Sequence, residues 1–166
     1  MSLSPWALAL DSERWAAFGS LTFRAERNAP RGVRLFQKIL RVTADKLNLD
    51  EDGFRSLLWV VRKEIGEIWG RRHLHFLIGG VPRIHGQDFF CVHGCFWFIH
   101  EWFCLSRGGW ARVRPFAMLK EESASEYIAK GGANAYEVDK FDDLIASASF
   151  LKKYRLSIHQ APLVED

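Results

Sequence analysis

GRRHLHFLIGG, residues 70–80, decides how the rest of the chain is read. His73 and His75 flank Leu74, and an apolar run follows. Side chains alternate along a strand, so the two imidazoles project from one face and Leu74 from the other, into the core. Their Cα atoms then lie about 6–7 Å apart.

Upstream, RSLLWVVRKEIG (55–66) predicts a second strand and EIWGRR (67–72) a short connection, so the two strands form an antiparallel hairpin. Folding it back brings Glu64, nine residues before His73, beside the histidine pair. Glu67 competes for that place but lies nearer the turn. Two imidazoles and a carboxylate suit a divalent ion with open positions: Mn²⁺ or Mg²⁺ on a phosphate, or Zn²⁺ or Fe²⁺ in other chemistry.

Further outward, AFGSLTFRAE (17–26) predicts a strand, and Pro30 opens a helix that runs to about Lys46. NLDEDG (48–53) reads as a turn and VPRIHGQ (81–87) as a loop. DFFCVHGCFWFIHEWFCLS (88–106) is too long and apolar for a strand and predicts a buried helix ended by RGG (107–109). WARVRPFAML (110–119) predicts a strand, and Ser123 opens a helix that stops at Gly131–Gly132. A short helix near 140–148 and a last strand near 150–158 complete the expectation. Hairpins plus covering helices indicate an α+β domain with an antiparallel sheet.

The 166 residues suggest one domain, residues 1–166. Hydrophobic content of 48% with 13 Phe and 7 Trp supplies a core, and most of those rings belong in it. The net charge of +3 permits nucleic-acid binding. Basic residues gather at Arg31, Arg34, Lys38 and Arg41, at Arg107, Arg112, Arg114 and Lys120, and at Lys152, Lys153 and Arg155. Cys91, Cys95 and Cys104 are an odd number in a short span, which is no disulfide framework and fits a reducing compartment. With His100 they resemble a zinc knuckle, but the usual C-x2-C spacing is missing. MSLSPWALAL lacks the basic start of a signal peptide, and no run of 18 apolar residues is present, so an intracellular protein without a membrane anchor is expected.

A second chemical feature is ASEYIAKGG (124–132). Tyr127 and Lys130 are three apart and share a helix face. A phenol with a pKa near 10 is a poor nucleophile unless activated, and a metal that polarises the electrophile lowers that demand.

In order, the chain carries SLTF on a first strand, Glu64 on a second, HLHF on a third and YIAK on a late helix. This resembles the replication-initiator (Rep) branch of the His-hydrophobe-His endonucleases, over about residues 17–132. The resemblance implies a central antiparallel sheet of about five strands flanked by helices, an RRM-like palm. It implies that His73, His75 and Glu64 hold Mn²⁺ or Mg²⁺, and that Tyr127 attacks single-stranded DNA sequence-specifically, leaving a 5′-phosphotyrosine and a free 3′-hydroxyl. Lys130 would support the site, and reversal of the attack would join strands. One tyrosine in the motif marks a single-tyrosine type. The implied partner is single-stranded DNA at an origin of rolling-circle replication, such as a stem-loop, in a bacterial cytoplasm or, for a eukaryotic virus, a nucleus. No G-x-x-x-x-G-K-[ST] loop is present, so no helicase domain is expected within these residues: either a host helicase, with a host polymerase, serves, or this is the nuclease domain of a longer protein.

The expected DNA contacts are Arg24, Arg71, Arg72, Arg112 and Arg114, with Lys152 and Arg155 beyond them. The alternative is a non-catalytic single-stranded nucleic-acid binding module of RRM-like fold, with Phe23 and Trp59 as stacking platforms.

Overall fold

The computed structural model describes residues 4–24, 29–65, 72–84, 87–88, 90, 92–118, 123–129 and 144–157. The elements are α1 (Pro5–Ser12), β1 (Trp15–Thr22), α2 (Ala29–Lys46), α3 (Glu51–Ser56), β2 (Leu58–Ile65), β3 (Arg72–Gly79), β4 (Arg83–Ile84), β5 (Gln87–Asp88), α4 (Val92–Leu105), β6 (Trp110–Pro115), a 3₁₀ turn (Phe116–Met118), α5 (Ala124–Ala129), β7 (Leu144–Ala146) and α6 (Ala148–Tyr154). Five strands form one sheet in the order β6-β1-β3-β2-β7, and every neighbouring pair is antiparallel. The expected α+β fold with a five-stranded antiparallel sheet flanked by helices is therefore present. Its kernel is the split β-α-β-β-α-β arrangement of β1, α2, β2, β3, α4 and β6.

One face of the sheet carries α2 and α4. Phe36, Ile39 and Leu40 of α2 and Phe98 and Trp102 of α4 close over Leu21, Val61, Leu74, Phe76, Ile78 and Val113. α2 buries positions 33, 36, 39, 40, 43 and 44, a helical stripe, and leaves Arg31, Arg34, Lys38 and Arg41 exposed. At Gly19 the backbone of β1 runs so close to β6 that a Cβ would stand 2.2 Å from the Arg112 carbonyl oxygen. Only glycine fits there.

The other face carries α1, α5 and α6 over β2, β3 and β7. Leu10, Trp15, Leu58, Val60, Leu77, Ile128, Leu144 and Phe150 form that core. Ser4 caps α1, with Pro5 in its first turn.

Several expectations are corrected. The first strand starts at Trp15 and ends at Thr22, not 17–26. NLDEDG is not only a turn: Asp50 caps α3 by accepting from the Gly53 amide at 2.8 Å. The expected loop 81–87 holds β4 and the first residue of β5, which pair as a two-stranded ribbon. α4 is buried on one side only, since Phe96 and Phe103 are exposed. It ends as expected, with Arg107 and Gly108 at φ 57° and 91° and the Gly108 amide donating to the Phe103 carbonyl at 2.8 Å. The C-terminal order is reversed. Leu144–Ala146 is a strand beside Val60–Arg62, and Ser147 then caps α6. Phe150 of that helix packs on Trp6 and Trp15, which a strand at this place would not reach.

Among the described residues no helix is long and apolar enough to cross a membrane.

Candidate functional site on the open sheet face

Strand register builds the site. Residues directly opposite each other in an antiparallel pair share a face. Across β6, β1, β3 and β2, Trp110 faces Thr22, Thr22 faces His73, and His73 faces Glu64. The next row is Arg112, Ser20, His75 and Arg62, continued by Leu144 of β7. The third is Arg114, Phe18, Leu77, Val60 and Ala146. The face passes from polar to apolar between the second row and the third.

His75 Nε2 and Glu64 Oε2 are 2.5 Å apart. The predicted carboxylate of the second strand thus meets one histidine of the pair, His75. His73 Nδ1 lies 2.8 Å from the Thr22 hydroxyl, a contact that fixes the ring and leaves Nε2 as the nitrogen for a ligand. His75 is largely buried, and its Nδ1 has no hydrogen-bond partner among the described residues. Burial pushes the His75 pKa below its ordinary 6.5; Glu64 opposes this by charge and hydrogen bond, and His73 and Arg62 reinforce it. The imidazole is thereby held neutral, the form that binds metal.

The donor types and their shared face fit a divalent cation. Glu64 and His75 already meet. His73 is presented directly opposite Glu64 but is turned to Thr22, and among the described residues no three His, Cys, Asp or Glu side chains converge as a closed metal cluster.

α5 lays Tyr127 against this floor. Its ring centroid is 5.9 Å from that of His75 and 5.0 Å from that of Phe18, both edge-on. Tyr127 is 9% exposed. Three ties hold the helix. Ser123 and Glu126 form a reciprocal capping box, with the Glu126 carboxylate accepting from the Ser123 amide at 2.8 Å and the Ser123 hydroxyl from the Glu126 amide at 3.2 Å. Asp11 of α1 accepts from the Ser125 amide and hydroxyl at 2.8 and 2.7 Å. Arg62 of β2 donates to the Ile128 carbonyl at 3.3 Å.

Of the other predicted residues, Arg112 and Arg114 are exposed on the open face of β6, and Arg24 is exposed beside Gly108. Arg72 neighbours His73 in β3 and therefore projects from the opposite face. Arg71, Lys130 and Glu67 lie outside the described residues. Phe23 is no stacking platform: it is 5% exposed and packs on Trp102 at 5.3 Å. Trp59 packs against Phe36 at 5.7 Å. Cys95 is buried while His100 and Cys104 are exposed, so these three do not face one zinc position; Cys91 lies outside the described residues.

Sequence reasoning missed Thr22 as the partner of His73, and Arg62, Asp11 and Phe18. Strand alternation could have found two of them, because Arg62 stands two before Glu64 and Thr22 stands two after Ser20 within SLTF. Nothing local to Asp11 points to α5. No family model, curated protein or solved structure matches the chain.

Proposed function

We propose that the protein is a metal-dependent nicking and joining enzyme for single-stranded DNA, acting as a rolling-circle replication initiator of the His-hydrophobe-His kind. The observation that carries this reading is the juxtaposition of Tyr127, His75 and Glu64: a phenol edge-on to an imidazole that itself meets a carboxylate, beside a basic, open strand. His73, His75 and Glu64 are the residues that would hold Mn²⁺ or Mg²⁺. When bound, the ion would polarise the scissile phosphate and stabilise the charge that develops on it.

Tyr127 Oη attacks the phosphorus. A phosphotyrosine bond forms to the 5′ side, the bond from phosphorus to the 3′-oxygen breaks, and the phenolic proton passes in net to that oxygen. One phosphoester replaces another, so the reverse attack by a 3′-hydroxyl joins strands without a nucleotide cofactor. Arg62 and Asp11 act on α5 and not on DNA; they position the nucleophile. Arg112 and Arg114 supply phosphate contacts that orient the strand without reading its sequence. The substrate is an origin strand inside the cell that hosts the replicon.

The test is incubation with a pool of labelled single-stranded oligonucleotides and Mn²⁺, read on a denaturing protein gel. A covalent band that disappears in chelator and in Tyr127→Phe is expected. An adduct retained by Tyr127→Phe would move the nucleophile elsewhere. Oligonucleotide binding without any adduct across the pool would favour the non-catalytic binding module.

A further inference from the structure

We propose that Trp110 and Arg24 form a nucleotide subsite at the end of β6, in which the indole stacks on one base of the bound strand and the guanidinium takes an adjoining phosphate. The inference rests on the single-stranded DNA reading above and adds to it the place where a neighbouring nucleotide is held.

Trp110 is 80% exposed, more than any other large apolar side chain described. A lone exposed apolar residue needs no explanation. This one differs in its position. It opens an edge strand and faces Thr22, the residue that holds His73. Two inter-strand spacings, roughly 10 Å, separate it from the histidine strand. That places it within a few nucleotides' reach of a scissile phosphate held at the histidines.

Trp110 also borders a recess of about 310 Å³, shared with Thr22, Phe23, Arg24 and Gly108. The recess follows from the local backbone. Gly108 has φ 91°, a value that L side chains rarely adopt, and it turns the chain out of α4 into β6. Arg24 lies along that glycine: a Cβ there would stand 3.4 Å from an Arg24 guanidinium nitrogen. Phe23 is fixed beneath by Trp102. An aromatic face, a guanidinium and a concave floor are thus set together where β1 ends and β6 begins.

The chemistry fits a nucleotide better than an apolar protein segment. Sequence-tolerant binding of single strands combines a cationic track with aromatic faces on which bases stack. Arg112 and Arg114 continue the cationic track along the same face of β6.

The experiment measures anisotropy of a fluorescein-labelled single-stranded thymidine oligonucleotide with the full chain, in chelator so that nothing is cut. Trp110→Ala should weaken binding about tenfold or more, the loss of one stacked base. Trp110→Phe keeps a ring and should stay within about threefold of the parent. Arg24→Gln should weaken binding and lower the slope of log affinity against log salt by about 0.7, one phosphate contact. Melting temperatures should not move, since Trp110 is exposed. If the parent binds and Trp110→Ala binds equally well, the subsite is wrong and the nuclease reading stands. If Trp110→Ala changes only the mass in sedimentation, the indole serves contact between copies and the proposal falls. If the parent neither binds nor forms an adduct with any oligonucleotide, the nuclease reading fails and takes the subsite with it.

Discussion

The two faces of the sheet are built to different ends. Under α2 and α4, β3 offers Leu74, Phe76 and Ile78, all fully covered. On the other side the same strand offers His73, His75 and then Leu77. The Leu77 row, and Trp15 and Leu58 beyond it, are core there; in the two rows before it the positions on β1, β3 and β2 are polar, and the rows run out to exposed Trp110 and Arg112. The difference lies in side chains of two paired strands, His73 and His75 of β3 and Arg62 and Glu64 of β2, not in backbone. Placing imidazoles, a carboxylate and an arginine where apolar residues would pack costs stability unless each finds a partner. Local rules for a stable sheet are broken on one face and kept on the other, and such breaks are where function is expected.

The largest effect should come from the closed face. Phe76 is fully buried and meets Phe36 at 5.3 Å and Phe98 at 5.5 Å. Phe76→Ala should cost about 3–5 kcal/mol, the usual toll of a large cavity, with the urea midpoint falling accordingly. A cost below about 1 kcal/mol would mean that this face collapses freely and that the contrast between the faces is not one of packing.

A middle-sized effect tests how the second face is clamped. Glu13, just past α1, accepts at one carboxylate oxygen from Lys153 at 2.6 Å and Tyr154 at 2.8 Å of α6, and at the other from the Arg14 amide at 2.9 Å. Burial alone would raise its pKa; these three hydrogen bonds and the Lys153 charge outweigh burial and leave it below 4.5. A carboxyl whose folded pKa is depressed binds fewer protons folded than unfolded at acid pH. Its contribution is therefore present above the unfolded value, about 4.3, and is lost as pH falls through the lower folded value. Glu13→Gln should cost about 1–2 kcal/mol at neutral pH and flatten the acid limb of the stability curve. An unchanged acid limb would show that α1 and α6 are held by the Trp6, Trp15 and Phe150 rings alone.

How much of this was legible beforehand follows from the range of the forces involved. The hairpin, the histidine face and Glu64 opposite it were readable because alternation and a short connection are local. The helical stripe of α2 was readable for the same reason. The C-terminal strand and helix were exchanged because LIA and SFLKKY carry little local signal; pairing with β2 and packing on Trp15 decide them, and both are distant in sequence. Tyr127 was found as a motif, but its place against His75 depends on Asp11 and Arg62, which no spacing rule connects to it. The aromatic platforms were misplaced because composition gives the number of rings and not which face they take: Phe23 went inside and Trp110 stayed out.

The smallest effect on stability should accompany the largest chemical loss. His75 sits where the polar rows meet the core, with a buried Nδ1 that no described group satisfies and a ring that burial keeps neutral. His75→Leu removes that unsatisfied nitrogen and its desolvation, and forfeits the contact with Glu64. These opposing changes should leave stability within about 1 kcal/mol of the parent, or slightly above it. On the proposed function, the parent should bind Mn²⁺ in a calorimetric titration and form the covalent adduct, and His75→Leu should lose both. A stable His75→Leu chain that still binds Mn²⁺ would remove His75 from the ligand set. One that is strongly destabilised would show that the polar rows hold the fold together, and that the two faces differ in composition but not in purpose.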